Sequence, residues 1–298
     1  MNVHQTSRMT RAYRMARLAL HLLQGGLTLA LAFPFITPQW RVRLKRRWAR
    51  GLLAILNVQL TVRGEPPDLS SQGVMFVANH VSWLDIYLLF AVRPARFIAK
   101  AEIRSWPVMG WFTVKAGTLF IERGKRQDTF RINQQVAAAL NAGDCVALFP
   151  EGTTSDGTRL GHFHASLLQP AVHTEATLWP VAIRFLHPDD SVNTAPAYVN
   201  DMSFGASIRQ VLREPVIYAT IAFTAPLPVQ GKTRRELAHA AHRAIASRLF
   251  PVNPCTISEI PADPPVAAQT ASRPTGSPYP APPDSASASA PVLTSGPR

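Results

Sequence analysis

From about residue 58 to residue 250, short apolar runs of four to eight positions alternate with longer stretches whose apolar residues recur every three to four. The short runs predict strands at 58–63, 74–78, 96–100, 117–122, 145–149, 178–185 and 216–223; the longer period predicts helices at 84–91, 104–113, 126–141, 166–173 and 233–249. Strands separated by helices predict an α/β fold with a mostly parallel sheet flanked by helices. The run Val74-Met75-Phe76-Val77-Ala78 has no polar alternation, as in a strand buried on both faces. Gly143 supplies a helix stop, and Thr233 with Glu236 has capping-box spacing. Pro180, near the start of its strand, predicts a sheet edge or a shaped tunnel wall.

The first 60 residues follow a different pattern. Residues 18–36 carry no formal charge apart from a protonatable His21, and as a helix would span about 28 Å, close to a bilayer core of about 30 Å. Basic residues flank both ends and no clean small-residue cleavage site follows, so a secretory signal is not expected. The same symmetry leaves spanning and dipping into one leaflet both open. Residues 40–60 predict a second helix, basic and tryptophan-bearing, suited to an anionic membrane surface. Beyond residue 250 the chain turns Pro-, Ala- and Ser-rich, which predicts a disordered tail. The expected organisation is membrane-associated helices over 1–60, an α/β domain over 61–250 and a tail over 251–298.

Composition adds a partner class. The formal net charge of the 298 residues is +13, and ten arginines and lysines, from Arg8 to Arg50, lie before any acidic residue. That implies nucleic acid, an anionic membrane, or an anionic substrate. Aromatic residues are not interleaved with the arginines as a stacking platform requires, and no nucleic-acid motif is visible, so no nucleic acid is expected. Two cysteines, Cys145 and Cys255, make no disulfide framework and fit a reducing compartment.

Three stretches carry chemistry. His80 follows the run 74–78, and Asp85 comes five positions later at the start of a helix; a turn between them can bring the carboxylate to one ring nitrogen and leave the other as a general base. A satisfied histidine at a strand end is the simpler reading of that pair alone. Arg123, in Gly117-Thr118-Leu119-Phe120-Ile121-Glu122-Arg123-Gly124, can clamp a phosphate or pair with an acid. Pro150-Glu151-Gly152-Thr153-Thr154 follows another apolar strand, at the sheet edge where ligands of open α/β sheets collect. Glu151 can orient a substrate hydroxyl or tie two loops together. Ser155 is not in a Gly-x-Ser-x-Gly elbow, which argues against serine hydrolysis. His162 and His164 have ligand spacing but no accompanying cluster, so no metal site is expected.

In order, Asn79-His80-x4-Asp85, Gly117-x2-Phe120-Ile121-x-Arg123, Phe149-Pro150-Glu151-Gly152-Thr153 and the Trp179-Pro180-Val181 strand resemble the four blocks of the glycerolipid acyltransferase family, over roughly residues 60–230. The bacterial 1-acyl-glycerol-3-phosphate acyltransferases look most similar. The resemblance implies that His80 deprotonates the hydroxyl of a lysolipid and Asp85 orients the imidazole. The hydroxyl would attack the thioester of acyl-CoA or acyl-carrier protein directly. Arg123 would bind the acceptor's phosphate, with Lys115 or Lys125 assisting; Gly117, Glu151, Gly152, Thr153 and Pro180 would shape the substrate site. No metal or bound cofactor is implied, only the acyl donor as co-substrate. The expected place is the inner (cytoplasmic) membrane, with the catalytic domain facing the cytoplasm.

One position departs. The family's third block often ends in arginine where this chain has Thr154, a change that also resembles relatives acylating lyso-ornithine lipid, whose head group lacks phosphate. A lysophosphatidate acceptor and a lyso-ornithine lipid acceptor are therefore both carried forward, the first preferred. A non-catalytic basic membrane-surface protein would explain the charge, but not the ordered blocks.

Overall fold

The computed structural model describes residues 5–122, 126–174, 176–199 and 201–250. The expected phosphate clamp Arg123, its neighbour Lys125 and the tail 251–298 lie outside the described residues. Within them the strands are β1 (Val58–Arg63), β2 (Val74–Ala78), β3 (Arg96–Lys100), β4 (Leu119–Ile121), β5 (Val146–Leu148), β6 (Thr177–Leu186) and β7 (Ile217–Phe223). They form one sheet in the order β1-β7-β6-β2-β5-β3-β4. β2, β3, β4, β5 and β6 run in one direction. β7 is antiparallel to β6 and parallel to β1, so those two strands run the other way. The sheet is mostly parallel, as the alternation of elements predicts, and the carboxyl ends of its five central and outer parallel strands share one edge.

The helices are α1 (Arg8–Leu27), α2 (Pro38–Ile55), α3 (Leu84–Val92), α4 (Met109–Ala116), α5 (Arg126–Asn141), α6 (Gln169–Thr174), α7 (Phe204–Arg213) and α8 (Arg234–Leu249). Packing divides them between the sheet's two faces. Along β2, Val74, Phe76 and Ala78 join a core with Leu52, Leu56, Leu88, Leu89 and Val211, on the side of α2, α3 and α7. Met75 and Val77 point the other way, to Ile132, Val136, Leu237, Ala241 and Ile245 of α5 and α8. Successive side chains on a strand alternate in direction, so covering both faces demands the unbroken apolar run seen in β2.

Several expectations shift by a turn or more. The apolar helix begins at Arg8 rather than near 18, with Ser7 accepting from the Thr10 backbone N–H at 3.1 Å. It continues as a π-helical turn, Thr28–Ala32, that stops before Pro34. α2 ends at Ile55 instead of reaching 60, because Asn57 turns to φ +55° and the chain enters β1. The single helix expected at 104–113 divides into a 3-10 turn, Ala101–Ser105, and α4: Pro107 has no N–H to continue the first, and Val108 sits at φ +64° before the second. α7 was not anticipated. Pro180 lies on β6, an interior strand between β2 and β7 rather than a sheet edge. Its missing N–H is tolerated because pairing with β7 begins only at Val181.

α1 and α2 pack by reciprocal close approach. The Trp48 and His21 rings stack at 4.8 Å; Trp48 Nε1 donates to the His21 carbonyl at 3.1 Å, and His21 Nε2 lies 2.9 Å from the Trp48 carbonyl. Each ring covers a glycine of the opposite helix. A Cβ at Gly25 would stand 2.4 Å from Trp48 Nε1, and one at Gly51 2.7 Å from His21 Cε1. Arg14 ties α1 to the end of α7, donating to the carbonyls of Glu214 (2.8 Å) and Pro215 (3.0 Å).

Candidate active site

β2 ends at Ala78, and the next seven residues are fixed from several sides. The Asn79 amide replaces a strand ladder: Nδ2 donates to the Ile183 carbonyl at 2.9 Å and Oδ1 accepts the Ile183 N–H at 2.7 Å. The His80 carbonyl accepts the Ser155 N–H at 2.8 Å, and the Val81 carbonyl accepts that of Tyr198 at 2.9 Å. Trp83 Nε1 donates to Ser207 Oγ on α7 at 3.0 Å. The loop that carries the histidine is thereby pinned to four other segments.

Asp85 is fully buried in the first turn of α3, where unpaired backbone N–H groups favour an anion. Its Oδ2 accepts from the Val81 N–H at 2.7 Å and the Ser82 N–H at 2.9 Å, and lies 2.8 Å from His80 Nδ1. A carboxylate only accepts, so Nδ1 is the protonated nitrogen and Nε2 keeps its lone pair. The imidazole also stacks on Phe149 at 3.8 Å and 6°, and Phe149 stacks on Phe97 at 5.7 Å. Hydrogen bond and stack together hold both the tautomer and the plane of the ring.

Glu151 does the tying that the sequence left as one of two options. Oε1 accepts the His80 N–H and Oε2 the Gly161 N–H, each at 2.8 Å, so one carboxylate joins the β2 loop to the loop after β5. Burial pushes its carboxyl pKa up, against the pull of those two N–H donors and of His80. Thr154, at the departing position, donates its hydroxyl to the Tyr198 carbonyl.

These groups face a cavity of about 1500 Å³, larger than the ~300–1,000 Å³ of a usual small-molecule site. His80, Glu151, Gly152, Thr153, Thr154 and His164 bring polar groups to it, and Leu22, Leu29, Trp48, Tyr87, Phe90 and Phe112 apolar ones. The remaining expected residues stand elsewhere. Lys115 is exposed in the last turn of α4, and Gly117 caps that helix at φ +85°, its carbonyl accepting from Arg96 Nε at 2.8 Å. Pro180 is buried within the sheet.

Sequence reasoning missed the cations that α2 brings to the cavity wall, Lys45 and Arg47. Lys45 Nζ donates to the Ala116 carbonyl at the end of α4 at 2.9 Å, and burial lowers its pKa from 10.5 to about 8. No local pattern distinguishes it from the five arginines around it. Because the unfolded chain keeps the proton longer, the stability of the native protein relative to Lys45→Met should rise as pH climbs from about 8 to 10.5 and stay level below. Thermal melts of both proteins across that interval check this; parallel curves would refute it.

Comparison with known proteins agrees with the geometry. A family model described as Acyltransferase matches residues 59–184, which hold His80, Asp85 and Glu151. The chain is 41% identical to a lyso-ornithine lipid O-acyltransferase of Pseudomonas aeruginosa, over 72% of this chain and 81% of the relative. It is 40% identical to a 1-acyl-sn-glycerol-3-phosphate acyltransferase of Neisseria meningitidis, over 67% of this chain and 78% of the relative. The crystal structure of PlsC, the 1-acyl-sn-glycerophosphate acyltransferase of Thermotoga maritima, superposes with a TM-score of 0.63 at 19% identity, covering 86% of this chain and 97% of that one. A continuous likeness across the sheet and its loops, with the histidine and the carboxylate in contact, leads to one assignment: the chain belongs to the glycerolipid acyltransferase family.

Proposed function

We propose that this protein transfers a fatty acyl group from acyl-CoA or acyl-carrier protein to the sn-2 hydroxyl of 1-acyl-glycerol-3-phosphate, forming phosphatidic acid. The observation that carries the proposal is the His80–Asp85 pair at the wall of a large, partly apolar cavity. His80 Nε2 takes the hydroxyl proton as the oxygen attacks the thioester carbonyl. The C–S bond then breaks, and the imidazolium, held by Asp85, returns the proton to the leaving thiolate. Glu151 keeps the histidine in place through its backbone N–H. The thioester already carries the activated acyl group, so no step calls for a metal or a resident cofactor. Lys45, Arg47 and Lys100 line the cavity and complement an anionic head group. Arg123 and Lys125 remain the proposed phosphate ligands.

A second acceptor is favoured by one observation. Thr154 spends its hydroxyl on the Tyr198 carbonyl and offers no cation, which suits a lyso-ornithine lipid. Purified protein offered both lysolipids with each donor decides between them. Lysophosphatidate should be acylated at the higher kcat/KM; acylation of lyso-ornithine lipid alone would overturn the first choice.

The segment Arg8–Ala32 is long and apolar enough to cross a membrane, and little of it is buried. We place the protein on the cytoplasmic membrane, with α1 and α2 against anionic lipid and the catalytic domain facing the cytoplasm.

A further inference from the structure

α4 is apolar on two sides, and among the described residues one of them is left partly exposed. Met109, Phe112, Thr113 and Ala116, at helical spacing, line the cavity. On the opposite side Val108, Trp111 and Val114 are 60%, 41% and 44% exposed. Trp106, at the cavity wall, is itself partly exposed. The tip is built rather than loose. Val108 is held at φ +64°, a conformation disfavoured for a β-branched residue, by a tight turn in which the Met109 N–H meets the Pro107 carbonyl at 2.6 Å. Gly110 permits the crossing, since a Cβ there would lie 2.1 Å from the Arg104 carbonyl oxygen.

The neighbourhood says what covers this face. Trp111 and Phe112 come within 4 Å of where a Cβ of Gly26 would stand, so α4 lies beside α1. There α1 exposes its own stripe, Leu20, Leu23, Leu27 and Leu31. The two exposed apolar surfaces belong to neighbouring helices, and the exposed cations Arg104, ahead of α4, and Lys115, in its last turn, flank them. Tryptophan and aliphatic side chains rimmed by arginine and lysine suit the interface of an anionic bilayer.

We propose that the tip from Trp106 to Val114 is a second membrane-inserting element beside α1, and that the lysolipid enters the cavity from the bilayer beneath α4. The entry route rests on the acyltransferase reading; the insertion does not. The test uses the full chain in two arms. In a Cys255→Ser background, where Cys145 is buried, bimane is attached at Val108→Cys and, as a control on the far face of the sheet, at Arg243→Cys. Vesicles of phosphatidylglycerol and phosphatidylethanolamine should blue-shift the first label and shield it from iodide, leaving the second unchanged. In the other arm, Trp111→Ser with Val114→Ser should lower kcat/KM on vesicle-embedded lysolipid at least ~10-fold, one factor of ten being about 1.4 kcal/mol. On a monomeric short-chain lysolipid the change should stay within about twofold.

No response of the Val108 label to vesicles overturns the insertion, and a response to protein concentration alone would assign the face to a second copy of the chain. Equal losses on both acceptors overturn the entry route. If the wild-type protein transfers no acyl group, the labels still decide the insertion, and it is the acyltransferase reading that falls.

Discussion

His80→Ala should lower kcat by about 10²- to 10⁴-fold, the contribution of a positioned general base, and leave the thermal melt close to that of the wild type. The ring is partly exposed at the cavity wall, and its backbone bonds to Glu151 and Ser155 survive the change. Asp85→Asn separates orientation from base strength. Asp85 Oδ2 meets the Val81 N–H, the Ser82 N–H and His80 Nδ1 together, so the amide either keeps its oxygen there, without the charge that supports the imidazolium, or turns its NH₂ there, losing both N–H bonds and favouring the wrong imidazole tautomer. A tautomer error of that kind costs on the order of 10⁴ in kcat in an unrelated His–Asp pair. Single-turnover acyl transfer, with circular dichroism to certify folding, measures both variants. Undiminished transfer by His80→Ala would end the general-base assignment and move the non-catalytic membrane-surface reading forward.

Glu151→Ala should fail differently, through position. Two part-buried N–H donors, of His80 and Gly161, lose their acceptor, and a fully buried donor left unpaired costs about 1–3 kcal/mol, an upper bound for each. The tie between their loops is then reduced to the Ser155 N–H on the His80 carbonyl, and a displacement of about 1 Å in a reacting group costs on the order of 10² in rate. The expected signature is a lowered melting temperature together with lowered kcat. Glu151→Gln keeps one acceptor and should recover part of both.

The same residue gives a pH test. Burial raises the Glu151 carboxyl pKa above its ordinary 4.5, so the folded protein holds that proton longer than the unfolded chain. Its contribution to stability is complete below the unfolded value and is lost as pH rises through the folded one. The difference in melting temperature between wild type and Glu151→Gln should therefore move in favour of the glutamine variant as pH climbs from 4.5. A difference that is flat with pH would refute the buried charge as its source.

Residues 74–85 and 146–153 were legible because their information is local. An apolar run buried on both faces reads as a strand wherever it lies, and a His and an Asp five positions apart across a strand-to-helix turn meet with little help from the rest of the chain. α7 was missed although Ser203 caps it and Phe204, Ile208, Val211 and Leu212 have helical spacing, because ten residues among turns give a weak period. The division at Pro107 turns on a positive φ at valine, which no propensity anticipates.

By itself the sequence determined the strand and helix alternation, the buried run of β2, the proximity of His80 to Asp85 and the apolar, basic character of the first 60 residues. Each follows from neighbours within about one turn or one strand. Tertiary structure alone decided that β7 runs against β6, that Pro180 lies inside the sheet, and that Glu151 ties His80 to Gly161 rather than standing free. It also decided that Lys45 reaches the end of α4 and that α1, α2 and α4 wall the cavity. These depend on which surfaces meet across the sheet, a choice set by the total apolar area removed from water and the polar groups satisfied together, and no single segment of the chain carries it.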